Sequence, residues 1–287
     1  MEWLERLNDA MAYVEEHLTG EITLEGAAQR AACSAYHFQR MFPYVAGVSF
    51  SEYVRRRRMT AAAMDLAGGE ERVIDVAARY GYESPTAFNR AFQSVHGLPP
   101  KAARVRGAQL KAFPPITFTL SIKGEEAMEF QIVEREGFRV VGFATKESMT
   151  MEDCFEKVPL FWKQVSGDIP RLLPLMDGGE PRGVLGVSAC DGGEFSGYYI
   201  GVATGQAAPE GMEACAVPAG TWAVFPCVGP MPQAMQALQQ RIISEWLPAS
   251  GYEYAAAPDI EVYFPGDQTA PGYRSEVWLP ITPAKKS

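Results

Sequence analysis

Histidine is scarce in this chain, and its cysteines follow no recognised pattern. Three histidines and five cysteines occur in 287 residues, and no two cysteines form a C-x-x-C pair. An odd number of unpatterned cysteines argues against a disulfide framework and favours reduced thiols. The sequence also lacks G-x-S-x-G, H-E-x-x-H and a phosphate-binding glycine loop. We therefore predict no metal, no cofactor and no catalytic residues.

Long hydrophobic runs and a basic net charge are also lacking. No stretch of about 18 apolar residues occurs, and the first residues contain no basic segment followed by an apolar one. We therefore expect a cytoplasmic protein without a membrane partner. The net charge is −9, and residues 1–107 contain 13 of the 26 basic and 13 of the 35 acidic residues. Without a basic excess, only clustered arginines would indicate a nucleic-acid partner.

The first 107 residues contain the same pattern twice, at a constant offset of 50 residues. Each copy has small and apolar residues, then a serine, two phenylalanines separated by an arginine, and a glycine. The matching pairs are Leu24 and Ile74, Glu25 and Asp75, Ala27 and Ala77, Ala28 and Ala78, Ser34 and Ser84, Phe38 and Phe88, Arg40 and Arg90, Phe42 and Phe92, and Gly47 and Gly97. So many ungapped matches indicate an internal duplication.

Each copy has the pattern of a helix-turn-helix, in which a short helix with alanines at its crossing point precedes a turn and a second helix. Ser34 and Ser84 are predicted N-caps of the second helices, and Pro85 suits the first helical position. The phenylalanines are predicted to face the core. The predicted DNA-contacting residues are Ala35, Tyr36, Gln39 and Arg40 in the first copy and Pro85, Thr86, Asn89 and Arg90 in the second. Gln, Asn and Arg can bind base edges, and solvated surface arginines are the alternative.

A helix is predicted between the two copies, from Phe50 to Leu66, because apolar residues recur there with helical spacing. Four consecutive arginines interrupt its apolar face. Arg57 follows Tyr53 by four positions and so lies beside the buried stripe, where a guanidinium requires a carboxylate partner. Asp75, in the first helix of the second copy, is the predicted partner.

Residues 1–107 resemble the DNA-binding domain of AraC/XylS-family regulators. Ala103 departs from the pattern, since the family usually has an aromatic residue there. The resemblance implies a transcription regulator, more often an activator, with two recognition helices about 34 Å apart in successive major-groove turns of promoter DNA. It also implies RNA polymerase as a partner. The residues that carry the resemblance are Arg57, Ala63, Leu66, Ile74, Val76, Ala77, Gly81, Tyr82, Ser84, Phe88, Arg90, Phe92, Gly97, Pro99 and Arg104.

The rest of the chain, residues 116–287, is predicted to be an α+β domain with an antiparallel sheet, after a proline-containing linker at residues 108–115. Alternating apolar and polar residues predict a first strand from Ile116 to Ile122. Predicted helices at residues 151–165 and 231–247 divide the series into two similar halves. Further strands are predicted at residues 128–135, 139–146, 183–191, 198–204, 212–217, 222–228, 259–264 and 273–281.

This element order and the run S-E-V-W-L-P-I at residues 275–281 resemble the GyrI-like effector-binding domain, over about residues 112–283. The resemblance implies a small-molecule cavity between two pseudo-symmetric halves, an acidic residue corresponding to Glu276, and lipophilic or cationic ligands. From the residues alone, Glu276 is a carboxylate in an apolar strand that requires compensation, and an exposed edge strand is the alternative. The predicted effector-binding residues are Glu276, Trp278, Trp162, Tyr198 and Tyr263.

Two other functions of the second domain are alternatives at this point. Some GyrI-like domains hydrolyse small electrophiles with a similarly placed glutamate, so one alternative is a hydrolase. The other is a protein-sequestering module, for which large exposed apolar patches are expected. The fused DNA-binding domain favours a transcription regulator with a small-molecule effector.

Overall fold

The computed structural model describes residues 2–119, 127–145, 154–191 and 194–284. Internal contacts divide the chain into two compact units, Met1–Ile122 and Lys123–Ser287. The first unit is helical, and the second is built around an antiparallel sheet. Within these described ranges, no helix is long and apolar enough to cross a membrane.

Six α-helices and one short 3-10 helix make up the described part of the first unit. They are α1 (Glu2–Glu16), α2 (Leu24–Arg30), α3 (Ala35–Ala46), α4 (Phe50–Gly68), α5 (Val73–Arg79), α6 (Pro85–His96) and the 3-10 helix Pro100–Arg104. Helices α2 and α3 form one helix-turn-helix, α5 and α6 form the other, and α4 joins them. The predicted all-α domain with two helix-turn-helix units is confirmed.

The duplication extends to both ends of α3 and α6. Ser34 caps α3 and Ser84 caps α6, each accepting a hydrogen bond from the backbone N–H three residues ahead, at 3.1 and 3.4 Å. Both helices end at a glycine in the left-handed conformation, Gly47 (φ 72°) and Gly97 (φ 77°). Serine and glycine at these positions satisfy backbone groups that a helix end leaves unpaired. Identical residues 50 positions apart therefore produce the same helix boundaries twice.

The inward phenylalanines are confirmed as core residues. Phe38 and Phe42 are fully buried and pack edge-on against Phe50 of α4, with ring centroids 5.3 and 5.6 Å away. Phe88 and Phe92 are fully buried in the cluster that holds the second copy together. Since burying one phenylalanine stabilises a fold by roughly 1.5–3 kcal/mol, these rings anchor both second helices.

Arg57 lies beside the buried stripe as predicted, with its side chain 11% exposed, but the predicted partner is wrong. Its guanidinium forms a two-pronged ion pair with Glu15 of α1, with Nε–Oε1 and Nη2–Oε2 distances of 2.8 and 2.6 Å. Tyr53 donates to the same carboxylate at 3.0 Å. Asp75 instead pairs with Arg72, three residues before it. The repeat does not reveal the true partner, because α1 precedes the duplicated residues.

Where the linker and first strand are predicted, the structure has a segment that belongs to the first unit and packs on its helices. Residues 116–119 pair with no strand, and residues 120–122 lie outside the described ranges. We call residues 110–118 the docked segment, since their backbone bonds to side chains of α1, α4 and α6. The bonds run from Lys111 N–H to His96 (3.2 Å), from Phe113 N–H to Thr60 (3.1 Å), from Ile116 N–H to Tyr53 (3.3 Å), from Phe118 N–H to Asn8 (2.8 Å), from Asn8 to the Phe118 carbonyl (3.0 Å) and from Arg57 to the Phe113 carbonyl.

The predicted strands from residue 128 onward are confirmed with shifted ends, and one short strand was not predicted. Of the predicted elements, residues 146 and 151–153 lie outside the described ranges. The strands are β1 (Gln131–Arg135), β2 (Phe138–Ala144), β3 (Val184–Asp191), β4 (Glu194–Ala203), β5 (Glu213–Val217), β6 (Gly220–Val228), β7 (Tyr252–Tyr254, not predicted), β8 (Asp259–Tyr263) and β9 (Arg274–Pro283). The helices are α7 (Cys154–Val165) with the 3-10 helix Ser166–Leu175, and α8 (Gln233–Arg241) with the π-helical turn Ile242–Trp246 and α9 (Leu247–Ser250).

The strands form one antiparallel sheet with the order β1-β6-β9-β8-β3-β4-β2-β5, and β7 pairs with β9. This order reads the same in reverse when β1 is exchanged with β5, β2 with β6, β3 with β8, and β4 with β9. The exchange maps the strand-strand-helix-strand-strand order of one half onto the other. The two pseudo-symmetric halves are therefore confirmed by topology, with the pseudo-two-fold axis between β3 and β8.

Two short turns bring the ends of this sheet together. β1 and β2 are separated by only two residues, although β1 lies at one edge of the sheet and β2 lies next to the other edge. A Cβ added at Gly137, in this turn, would lie 3.3 Å from the carbonyl oxygen of Val217, beside the turn between β5 and β6. The sheet therefore curls around one face.

The two faces of the curled sheet have different surroundings. The inner face carries Trp222 and Trp278 in a buried cluster of residues from the strands. The outer face packs against α7 and α8, as shown by the contact of Trp162 with Tyr263 and the hydrogen bond from Gln239 to β8. A single sheet thus presents two separate environments.

Candidate effector site and DNA-binding helices

The residues predicted to contact DNA lie at the start of α3 and α6. Four of them are exposed, in α6: Pro85, Thr86, Asn89 and Arg90. Three are half-buried, in α3: Ala35, Gln39 and Arg40. Tyr36 is only 4% exposed, so its prediction as an outward contact is wrong. A tyrosine ring gains much more from burial than the threonine at the equivalent position of α6 does.

A carboxylate on the outer face of the sheet accepts three hydrogen bonds from neutral side chains. It belongs to Glu261 of β8. Its Oε1 accepts from the amide of Gln239 in α8 at 2.7 Å, and its Oε2 accepts from the hydroxyls of Tyr263 at 2.9 Å and Tyr198 at 3.2 Å. Among the described residues, none of its hydrogen-bond partners is a cation. The carboxylate is therefore fixed in position without charge neutralisation.

Trp162 of α7 completes this cluster. Its Nε1–H donates to the Tyr198 hydroxyl at 3.0 Å, and its ring packs edge-on against Tyr263 with centroids 4.9 Å apart. The structure thus brings together three of the four aromatic residues predicted for the effector site, from one helix and two strands. Aromatic ring faces and a carboxylate both attract positive charge.

Gly186 of β3 makes room for the Tyr198 hydroxyl. It lies opposite Glu261 in the register of β3 and β8. A Cβ added at Gly186 would lie 2.1 Å from the Tyr198 hydroxyl oxygen and 3.1 Å from Glu261 Oε2. A glycine weakens the interior of a strand. Here it is explained by the hydrogen-bonded cluster that it permits.

The Tyr263 hydroxyl keeps its proton at neutral pH. Burial raises the pKa of Tyr263 well above its ordinary value, and the nearby charge of Glu261 raises it further. A phenol that keeps its proton directs it to the carboxylate. Tyr198 is buried, whereas Trp162, Tyr263 and Glu261 are half-buried. The cluster therefore has an accessible side.

Glu276 and Trp278, also predicted for the effector site, lie on the inner face instead. The register and alternation of β8 and β9 place both side chains on the face opposite to that of Glu261. Trp278 is buried, and its Nε1–H donates to Glu276 Oε2 at 2.8 Å. The compensating group that Glu276 requires is thus an indole two residues away. The prediction that Glu276 shares a site with the three clustered aromatic residues is wrong.

A pattern in the sequence could have identified Glu261 as a candidate site residue. It lies in the run D-I-E-V-Y at residues 259–263, where alternation places it on one strand face with Asp259 and Tyr263. Glu276 stands in an equally apolar strand. Alternation shows which residues share a face, but only the sheet register shows which face the helices cover.

Comparisons with known proteins give matches to both units. The model of a family described as integron-associated effector binding protein matches residues 131–281, and a helix-turn-helix domain model matches residues 27–106. Transcriptional regulator Rob of Salmonella typhimurium is 26% identical over 293 residues, which cover 96% of this chain and 97% of that protein. Multiple antibiotic resistance protein MarA of Escherichia coli K12 is 32% identical over 103 residues, which cover 36% of this chain and 81% of MarA.

Among solved structures, that of SAV2435 bound to tetraphenylphosphonium is similar, with 22% identity and a TM-score of 0.48 over 54% of this chain and 94% of that one. The effector-binding family covers more than half of the present chain. The helix-turn-helix match covers both recognition helices. The chain therefore belongs to the AraC-type DNA-binding transcription regulators that carry a GyrI-like effector-binding domain.

Proposed function

We propose that the effector of this regulator is a lipophilic cation that binds beside Glu261 on the outer face of the sheet. The observation that carries the proposal is a half-buried carboxylate whose described partners are all neutral. Removing a carboxylate from water is costly unless a positive charge compensates for it. A cationic ligand supplies that charge.

The aromatic residues determine what kind of cation suits the site. Trp162 and Tyr263 pack edge-on, and their rings offer apolar surface to the body of a ligand and negative ring faces to its charge. A strongly hydrated inorganic cation would gain nothing from this surface. A bulky organic cation gains affinity from buried area, while Glu261 fixes its orientation.

Two probes of the same shape and opposite charge test the proposal. Tetraphenylphosphonium should bind the full chain and raise its unfolding temperature, because a ligand that binds only the folded state stabilises it. Tetraphenylborate should bind much more weakly. We expect Glu261→Gln, which keeps the shape and removes the charge, to weaken tetraphenylphosphonium binding by at least about tenfold.

Glu276→Gln is the matched control, since it makes the same chemical change on the inner face. It should leave tetraphenylphosphonium affinity unchanged. Equal affinities of both probes for the unmodified chain would refute a charge-based site. A loss caused by Glu276→Gln and not by Glu261→Gln would move the effector site to the inner face.

We also propose that the exposed residues of α6 and the half-buried outward residues of α3 contact promoter DNA. Arg90 and Asn89 have the side chains that bind guanine and adenine edges, and both are exposed. Arg90→Ala should weaken binding to a duplex that the wild-type protein selects from a random pool. If Arg90 binds a guanine, the loss is about 1–3 kcal/mol and is specific to that base.

Arg171→Ala is the charge-matched control, because Arg171 belongs to the second unit. Equal losses on selected and random duplexes would mean that Arg90 contacts phosphate only. No loss on either duplex would remove Arg90 from the interface. We infer that RNA polymerase is the partner of the DNA-bound chain, and transcription in vitro from the selected duplex, with and without tetraphenylphosphonium, tests this.

The arrangement around Glu261 favours binding over hydrolysis. Both of its carboxylate oxygens already accept hydrogen bonds from the protein. A general base needs an oxygen directed at the water molecule that it activates. The aromatic cluster therefore supports an effector site, and release of a hydrolysis product from an ester probe would contradict it.

A further inference from the structure

The joining helix α4 contributes to the cores of both helix-turn-helix copies. In its first half, Phe50 packs against the two buried phenylalanines of α3. In its second half, Met59 and Leu66 are buried in the cluster that holds the second copy together. Each copy is therefore fixed to a different half of one helix. Arg58 lies where the two halves meet, one residue before Met59.

The half-buried guanidinium of Arg58 holds the turn that precedes the first copy. Its Nε–H donates to the carbonyl oxygen of Leu18 at 3.1 Å, and its Nη2 donates to that of Gly20 at 2.7 Å. Both carbonyls belong to the turn between α1 and α2. The Leu18 side chain packs against the core cluster of the second copy. A polar and an apolar contact thus attach this turn to the part of α4 that carries the second copy.

The same guanidinium lies against the turn inside the second copy. A Cβ added at Gly81, between α5 and α6, would lie 3.1 Å from Arg58 Nη1 and 3.5 Å from Arg58 Cζ. One planar group therefore contacts the turn before α2 and the turn after α5. Because the donors of a guanidinium form a rigid fork, its contacts also fix the two turns relative to each other. We call Arg58, Leu18, Gly20 and Gly81 the clamp.

The equivalent turn of the first copy has a side chain where the second copy has glycine. Ala32 follows α2 by two residues, as Gly81 follows α5, and both have left-handed backbone, with φ of 53° and 81°. An equivalent backbone hydrogen bond of 3.0 Å closes each turn. Left-handed backbone favours glycine in both turns, yet the first copy has alanine. In the second copy, the Arg58 guanidinium occupies part of the space that a methyl group needs. The clamp thus explains Gly81 in addition to its φ.

We propose that Arg58 is a positioning residue that fixes the separation of the recognition helices α3 and α6, and thereby the spacing of the two half-sites that the protein accepts. It acts through these helices and not through a DNA contact of its own. The inference rests on the proposed contacts of α3 and α6 with DNA. Two joined helices bind together only where half-site spacing matches their separation. The docked segment bonds to α4 at Tyr53, Arg57 and Thr60 instead, so the clamp can be altered without removing those bonds.

Affinities for two duplexes of different spacing test the proposal. The full chain is titrated with the duplex that it selects from a random pool, and with the same duplex after insertion of one base pair between the half-sites. The insertion moves one half-site by about 3.4 Å along the axis and about 35° around it. The unmodified chain should bind the longer duplex at least about tenfold more weakly, because one helix loses its base contacts. Arg58→Met should reduce this ratio to under about threefold, since the copies can then adjust.

The ratio of the two affinities separates positioning from stability and from charge. A partly unfolded variant binds both duplexes less, and its ratio does not change. Arg58→Lys keeps the charge but lacks the fork that binds both carbonyls, so its ratio should also fall. Gly81→Ala should displace the guanidinium and lower the ratio. Gly97→Ala is the matched control, because Gly97 has similar backbone (φ 77°) and no described atom within 4 Å of the added Cβ; its ratio should equal that of the unmodified chain.

Three outcomes overturn the proposal. Arg58→Met has the same ratio as the unmodified chain, which would mean that α4 sets the spacing without the clamp. Arg58→Lys restores the full ratio, which would assign the effect to charge. Gly81→Ala and Gly97→Ala change the ratio equally, which would assign it to backbone strain. Failure of the proposed DNA contacts gives a different result, because Arg90→Ala would then bind the selected duplex as tightly as the unmodified chain does.

Discussion

Replacing Arg57 with alanine should destabilise the first unit strongly, because its guanidinium donates three hydrogen bonds that join α4 to α1 and to the docked segment. Arg57 donates two hydrogen bonds to Glu15 of α1 and a third to the carbonyl oxygen of Phe113 in the docked segment. Its side chain is only 11% exposed, and that of Glu15 is 24% exposed. Removing it leaves a largely enclosed carboxylate and a carbonyl without their donor.

The magnitude follows from these contacts. Breaking a buried ion pair by removing one partner costs about 3–5 kcal/mol. Glu15 retains partial exposure and the hydrogen bond from Tyr53, so we expect the lower limit, about 3 kcal/mol. In a unit of this size, that loss lowers the unfolding temperature by roughly 10 °C. Arg57→Lys keeps one charge but loses the two-pronged geometry, and should be intermediate.

Denaturant unfolding of the full chain, combined with hydrogen exchange of peptides that cover residues 110–118, is the suitable assay. Exchange there reports the first unit, since the amides of Phe113, Ile116 and Phe118 bond to side chains of its helices. Arg55→Ala is the control on the same helix. The Arg55 side chain is 44% exposed and pairs only at the surface with Glu52, so its loss should cost under about 1 kcal/mol. Equal stabilities of the two alanine variants would refute the assigned role of Arg57.

Two further predictions concern the hydrogen-bonded cluster around Glu261 and the dependence of stability on pH. Gly186→Ala should lower stability by about 1–3 kcal/mol through overpacking and abolish tetraphenylphosphonium binding, whereas Gly167→Ala, with nothing within 4 Å of the added Cβ, should do neither. Burial lowers the pKa of His37 from 6.5 to about 4 and lowers that of His96 as well. As pH falls below 6.5, the unfolded chain takes up protons before the folded chain does, so the free energy of unfolding, measured with denaturant, should fall by roughly 2 kcal/mol between pH 7 and pH 5. His37→Gln should reduce this pH dependence. A free energy of unfolding that does not change between pH 7 and pH 5 would contradict the prediction.

The helical unit could be predicted in detail because its signals are local. A capping serine accepts a hydrogen bond from the backbone N–H three residues later, and a glycine ends the helix at its own position. Both effects depend only on residues a few positions apart. Ser34 and Ser84 show this, as do Gly47 and Gly97. The duplication then doubles each signal. The starts of α3 and α6 were therefore predictable from the sequence alone.

The predictions that failed in this unit depend on contacts between distant residues. Apolar and polar residues alternate at residues 116–119, which indicates that one side of an extended segment is buried. This pattern does not show whether a neighbouring strand or the surface of a helix covers that side. Phe118 pairs with Asn8, 110 residues earlier in the chain. The Arg57 partner Glu15 is 42 residues away. No local spacing connects such pairs.

The choice between Glu261 and Glu276 shows the same limit in the second unit. Each glutamate lies in a strand of apolar residues, and each has an aromatic residue two positions later. In the register of β8 and β9, Glu261 lies opposite Val277 and Glu276 lies opposite Val262. Because side chains alternate between faces, neighbouring strands with this register place the two glutamates on opposite faces.

What each glutamate can bind then follows from its face and not from its own strand. On the outer face, Glu261 receives hydrogen bonds from two tyrosines and a glutamine, and none of these described partners carries a positive charge. On the inner face, Glu276 receives an indole N–H and shares its surroundings with the guanidinium that lies over Trp278. The same residue type therefore has only neutral partners beside the helices on one face, and lies near a guanidinium on the other.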